Sequence, residues 1–159
     1  MTLHPDDPLS VLLRRMSEQD RQVLYFARQE VSDYGSATVD PEHLLLGLVH
    51  DEQGPVATLL SDTFHLEMAS LIAEVASHVE RKPTFSTAIE VPFGASTKAV
   101  LVAAVEEADR LSHAEIRPEH LLLGILRIAT TIPAAILSAH GVTLDGARTV
   151  LNSARPRRE

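Results

Sequence analysis

The chain has 159 residues, 45% of them hydrophobic and 23% charged, so it can bury one ordinary core and is not disordered by composition. Its formal net charge of -8, with the one basic run Arg155-Pro156-Arg157-Arg158 at the end, argues against a nucleic-acid footprint, which needs clustered Lys and Arg. Cysteine is absent, which excludes disulfides, a thiol nucleophile and thiolate metal sites. No apolar stretch approaches the roughly 20 residues that span a bilayer, and Asp6 and Asp7 stand where a leader would carry basic residues, so the default expectation is a cytoplasmic protein that does not enter a membrane.

Apolar residues recur at spacings of three and four, which predicts helices throughout. Residues 1–14 read as a loose arm or as a short extra helix at Leu9 to Leu13. Ser17-Glu18-Gln19-Asp20 resembles a capped helix start with an acidic first turn. Val23, Ala27, Val31 and Tyr34 then form one buried stripe, which Gly35 ends. Asp40-Pro41-Glu42 opens a second helix, with Asp as N-cap and Pro at the first helical position. Its Leu44-Leu45-Leu46 run is too wide for a surface stripe and predicts a central helix. Gly54-Pro55 opens a third, and Leu66 to Val79 supplies a fourth. Arg81 to Pro92, with two prolines, Thr and Ser, reads as a linker.

The rest of the chain repeats this order. Pro-Glu-His-Leu-Leu-Leu-Gly occurs at 41–47 and again at 118–124, an offset of 77, and the match extends to Val23/Val100, Ala27/Ala104, Glu30/Glu107 and Leu60/Leu137. Beyond that the register slips by one, pairing Leu66 with Leu144 and Ala69 with Ala147. Ile132-Pro133 and Leu144 to Ser153 supply the last two helices. The expected fold is all-α: two pseudo-symmetric four-helix repeats, about 17–79 and 94–153, packed as one bundle because each apolar face needs the other copy. A charged tail over 154–159 completes the division. The second copy shows poorer caps, since Arg117 replaces Asp40 and cannot accept a bond from an orphan N–H.

This paired motif, with its helix order, resembles the double repeat in the N-terminal domain of Clp ATPases of the Hsp100 class, the unfoldases that feed the ClpP protease. The resemblance covers roughly Arg15 to Ser153. The chain contains no G-x-x-x-x-G-K-[ST] phosphate cradle, so it cannot hydrolyse ATP by that route. Met1 and the charged tail favour a free-standing relative over a fragment.

In ClpC-type members, the resemblance implies, this domain binds adaptor proteins and phosphorylated arginine on tagged substrates. The motif glutamate takes the guanidinium, and basic or hydroxyl groups near the first helix start take the phosphate. Carried over, the first site comprises Arg15, Ser17 and Glu42, and the second Lys98 and Glu119, with Gly94 replacing the family's hydroxyl residue. The first is therefore expected to bind more tightly. Each residue also has a plainer reading: Ser17 as a simple N-cap, the glutamates as first-turn acids favoured by the helix dipole, Arg15 and Lys98 as solvated side chains.

His43 and His50 lie seven apart, yet position 127, the counterpart of His50, is Arg, so a capping or packing role is expected for the motif histidines and no metal site. No nucleophile elbow is present, and no catalytic residue or cofactor is expected. Expected partners are proteins: a Clp ATPase, an adaptor, a ClpP core or a tagged substrate. The expected role is a non-catalytic recognition module that modulates regulated proteolysis, with an accessory subunit docked on a ClpP-type core, or a repurposed interaction domain, as alternatives. A pair of repeats that cover each other predicts a monomer.

Overall fold

Residues 7–83 and 91–153 are described by the structure, a computed structural model. They form nine helices: α1 (Pro8–Arg15), α2 (Glu18–Tyr34), α3 (Pro41–Leu48), α4 (Pro55–Phe64), α5 (Met68–Ser77), α6 (Ala95–Arg110), α7 (Pro118–Arg127), α8 (Ile132–Ala139) and α9 (Leu144–Ser153). The first repeat is α2 to α5 and the second α6 to α9. The expected tail at 154–159 and most of the expected linker lie outside the described residues, as do residues 1–6.

Of the two readings of residues 1–14, the described part follows the short extra helix, which runs Pro8–Arg15 and is slightly longer than Leu9 to Leu13. Asp7 caps it by accepting a hydrogen bond from the Leu9 N–H at 2.9 Å, and it packs on α6 with Leu12 fully buried. A boundary at residue 14 would cut this helix at its last turn.

Each motif residue has a separate task in folding, and the tasks repeat. Proline occupies the first helical position, where its missing N–H costs nothing. The three leucines of each copy enter one shared core, where α3 and α7 touch each other and reach across to α8 and α4 of the opposite repeat. Gly47 and Gly124 let these helices cross α2 and α6 at close range. A Cβ on either would collide with the backbone carbonyl of Val23 or Val100, respectively. Val23, Ala27 and Val31 line the buried face as expected, while Tyr34 is only half-buried under Arg81. Gly35 ends α2 in the left-handed region at φ 68°.

The helix caps depart from the sequence reading. Asp40 holds the N-cap position, but its carboxylate accepts the Thr38 hydroxyl (2.7 Å) instead of a helix N–H. The Asp40 N–H is taken by Nδ1 of His43, and the Arg117 N–H by Nδ1 of His120, both at 2.9 Å. The third helical residue thus caps backwards in both repeats, and because Asp40 gives its carboxylate to Thr38, Arg117 is no poorer an N-cap than Asp40.

The two halves are threaded through one another. Two isolated parallel bridges join Met16 to Ile116 and Phe93 to Val39, and these pairs exchange under the offset of 77. The Ser17 N–H donates to the Ile116 carbonyl and the Ile116 N–H to that of Arg15, both at 2.9 Å. Likewise the Val39 N–H donates to the Pro92 carbonyl (2.9 Å) and the Gly94 N–H to that of Val39 (3.0 Å). Each repeat's first helix therefore starts against the other repeat's motif helix.

Candidate recognition sites across the repeats

In both motif copies every residue is buried except the glutamate. Glu42 and Glu119 sit in the first turns of α3 and α7, half-buried, and make no ion pair among the described residues. Burial pushes both carboxyl groups above the usual range. At Glu42 the neighbouring Asp40 adds to the rise and His78 opposes it, whereas at Glu119 Arg117 opposes it. A backbone hydrogen bond offsets part of this cost at each, and a partly desolvated carboxylate with no ion pair among the described residues is chemically poised to take a cation.

The threading decides what faces each acid. Glu42 lines an open depression of about 460 Å³ together with Asp40, Gly94, Ala95, Ser96 and Ile132. Neither Arg15 nor Ser17 belongs to it. The grouping expected from the sequence, Arg15 and Ser17 with Glu42, is therefore not the one the structure brings together, because same-repeat neighbours along the chain are separated by the exchange. No side chain caps α6 and its first turn carries no acid. Lys98, one turn further along, is exposed and makes no ion pair among the described residues. Asp40 Oδ1 lies 2.8 Å from where a Cβ of residue 94 would stand, so a side chain there would require the Asp40 carboxylate to shift.

The opposite site, where Ser17 meets the start of α7 and Glu119, is closed by the chain itself. Ser17 Oγ accepts from the Asp20 N–H, and Asp20 Oδ2 accepts from the Ser17 N–H, each at 3.2 Å, a reciprocal capping box. Asp20 is fully buried, and its other oxygen has no partner. Burial chiefly, with smaller contributions from Glu119 and Glu115, raises its pKa to about 7. Arg15, expected to meet a phosphate, is committed elsewhere: it donates to Asp109 (2.7 Å) and to the carbonyls of His113 (2.8 Å) and Ala114 (2.9 Å).

The motif histidines are structural in this geometry. With Nδ1 accepting, Nε2 carries the proton, which His43 directs to Ser36 Oγ (3.0 Å) and His120 to Nδ1 of His113 (2.8 Å). Burial lowers the pKa of both, and His113 and Arg117 help push His120 to about 4. His50 lies past the end of α3, exposed and stacked on Phe26, far from sharing a face with His43. Among the described residues no three His, Asp or Glu side chains gather as a metal ion would require. No single described helix is long and apolar enough to cross a membrane.

The sequence profile of the Clp repeat N-terminal domain matches residues 15–140 and 92–158. The chain belongs to this family. Among curated relatives it is 33% identical over 138 residues to the chloroplastic chaperone protein ClpC1 of Oryza sativa, covering 87% of the chain and 15% of the relative. It is 31% identical over 138 residues to ClpC/MecB of Bacillus subtilis, covering 87% and 17%. The chain thus spans about one-sixth of the length of these Clp relatives. The N-terminal domain of ClpD from Arabidopsis thaliana superposes with a TM-score of 0.66 at 26% identity, covering 87% of this chain and 95% of that one. The ClpV N-domain of Vibrio cholerae does so at 0.78 and 17%, covering 96% and 92%. A ClpV N-domain solved in complex with VipB peptide scores 0.74 at 17%, covering 95% and 92%. These likenesses give the chain the double-repeat fold of Clp N-domains.

Proposed function

We propose that this Clp N-type chain is a non-catalytic recognition module of a cytoplasmic Clp protease system, binding arginine-bearing segments of protein partners or arginine-phosphorylated substrates and so modulating regulated proteolysis. The observation that carries this reading is the motif glutamate: in two copies of a motif whose other residues are all buried, it alone reaches solvent, half-desolvated and without an ion pair among the described residues. A guanidinium presents the planar donor fork that such a carboxylate accepts. The peptide-bound ClpV N-domain supports partner binding by this fold.

Glu42 is the stronger anchor in this account. Its depression is open on the α6 side, and Lys98 and Ser96 supply a cation and a hydroxyl for a phosphoryl group. Asp40 makes the floor anionic, so the guanidinium end is held there and the phosphoryl end lies toward Lys98. At Glu119 Arg15 is spent on Asp109, and Ser17 is buried with its hydroxyl oxygen accepting in the capping box. Calorimetry with an arginine-phosphorylated peptide and its unmodified twin tests the assignment. Glu42→Ala should weaken both by about ten- to a hundredfold, as expected for losing a charged hydrogen bond. Lys98→Ala should weaken only the phosphorylated form. Binding of both peptides unchanged in Glu42→Ala would refute the reading.

A second reading, docking as an accessory subunit on a protease core, is favoured by one surface. Leu126, Ala129, Ala134, Ala135 and Leu144 line an apolar groove beside α8, whereas the corresponding groove of the first repeat presents Glu52, Ser61, His65 and Glu67. Ala135→Glu should abolish capture by an isolated ClpP-type core if docking uses this groove, and Glu42→Ala should leave it intact.

A further inference from the structure

Glu30 and Glu107 are repeat mates, on equivalent turns of α2 and α6, and the second shows what such an acid binds when it is satisfied. Glu107 is almost wholly buried and receives Arg148 as a two-pronged pair, Nε to Oε1 at 2.6 Å and Nη2 to Oε2 at 2.8 Å. Arg127 adds a second cation at 3.6 Å and also reaches Glu106 at 3.4 Å. These guanidinium groups, Arg148 foremost, hold the Glu107 carboxyl below the usual range.

The first repeat keeps the acid and lacks both arginines. At the offset of 77 His50 replaces Arg127, and at the slipped register Ser70 replaces Arg148. Glu30 is half-buried, its pKa raised by burial and by Asp33 with His50 opposing, and it makes no ion pair among the described residues.

Aromatic rings flank this unneutralised acid. Phe26, one turn before Glu30, stacks on His50 with centroids 3.7 Å apart and planes 16° from parallel. Tyr25 stands edge-on to Phe26 and is 59% exposed. The second repeat carries Val102 and Ala103 at the two ring positions. Elsewhere the chain covers its rings with its own guanidinium groups, Arg81 over Tyr34 at 4.8 Å and Arg28 over Phe93 at 5.1 Å. Asp51 and Glu52, exposed in the turn after His50, extend the negative charge.

We propose that the Tyr25, Phe26, Glu30 and His50 face is a second protein-docking site, distinct from the motif-glutamate depressions, which receives an arginine side chain of a partner protein. The guanidinium occupies by intermolecular contact the role that Arg127 and Arg148 fill internally in the other repeat. Its plane lies against an aromatic ring while its donors reach the Glu30 carboxylate. Arginine fits better than lysine because only the guanidinium offers a flat face for the ring and a fork for the acid.

The test uses the full chain and a blocked Ala-Arg-Ala-Arg-Ala peptide, read by NMR shifts and calorimetry. Ring resonances of Tyr25, Phe26 and His50 should shift, the lysine peptide should bind several-fold more weakly, and a citrulline peptide should not bind. Glu30→Gln should lower affinity about tenfold or more, and Tyr25→Ala by a smaller factor. His50→Arg, which restores the second repeat's internal cation, should block the peptide without loss of melting temperature. Affinity unchanged in both Glu30→Gln and His50→Arg, equal binding of the citrulline peptide, absence of ring shifts, or ring shifts that vanish in Glu42→Ala would each overturn the proposal. The last outcome would leave the motif-glutamate reading standing, so the two fail separately.

Discussion

The second repeat closes on itself where the first stays open. Arg148 and Arg127 neutralise Glu107, Arg117 pairs with Glu115 at 3.6 Å, and Arg15 crosses from α1 to bind Asp109 beside the α7 start. At the matching places the first repeat has Glu30 without an ion pair among the described residues, Thr38 bonded to Asp40, and Glu42 over an open depression. The features the halves share are those without which neither would fold: the backward histidine cap, the leucine core and the glycine crossing. Duplication has kept the helix junction and let the surrounding charges diverge, leaving one half with internally paired acids and the other with Glu30 and Glu42 in no ion pair among the described residues.

Breaking the ion-pair network should show this difference most strongly. Glu107→Gln takes the buried acid from Arg148 and Arg127, leaving them Asp145 at 3.9 Å and Glu106 at 3.4 Å, and should cost about 1.5–3 kcal/mol, whereas Glu30→Gln should stay within roughly 0.5 kcal/mol, both by urea unfolding. Equal costs would contradict the contrast between closed and open halves. Gly47→Ala and Gly124→Ala probe what the halves have in common. Each forces a Cβ into a helix carbonyl and should destabilise by about 1–3 kcal/mol, to a similar extent.

Asp20 and its repeat mate Thr97 differ in how they respond to pH. Thr97 donates to the Val39 carbonyl at 2.7 Å at every pH, while Asp20 has its pKa raised from 3.8 to about 7. The folded state holds this proton more tightly than the unfolded state. Its stabilising contribution is therefore complete below about pH 4 and is lost as pH rises through about 7. His120, lowered from 6.5 to about 4, acts oppositely: its contribution is present above about pH 6.5 and is lost on acidification toward 4. Asp20→Asn should stabilise by about 1–3 kcal/mol near pH 8, have little effect near pH 4, and flatten the decline above neutrality. The smallest effect belongs to Arg117→Asp. Since His120 already caps α7, thermal unfolding should move by no more than about 0.5 kcal/mol.

The repeated motif made the fold legible: two copies of one string fixed the order of helices, the central position of α3 and α7, and the family. The site was legible only in part. Glu42, Glu119 and Lys98 could be named from the motif and its flanks, but their grouping could not, because the bridges from Met16 to Ile116 and from Phe93 to Val39 run between residues far apart in sequence, and nothing in the local pattern encodes the exchange. The caps were misread for a related reason. Asp40 has the right chemistry for an N-cap, yet Thr38 claims its carboxylate, and a histidine three residues later accepts the Asp40 N–H. In sequence Arg15 has the look of a solvated or ligand-binding cation, and only tertiary contact with Asp109 and the carbonyls of His113 and Ala114 reveals its occupation. The repeat offset did hold a clue to the Glu30 face, since it aligns His50 with Arg127, but its meaning depends on the ion pairs Arg127 makes.

The exchange between repeats is the central claim, because it decides which helix start faces which glutamate. The natural chain has no cysteine, so engineered pairs report without background. Residues paired in a bridge bring their Cα atoms to roughly 5 Å, within disulfide range. Oxidation of Met16→Cys/Ile116→Cys should give an intramolecular disulfide by mass spectrometry, and Met16→Cys/Val39→Cys, the same-repeat pairing, should remain reduced. A disulfide in the second variant and none in the first would contradict the account.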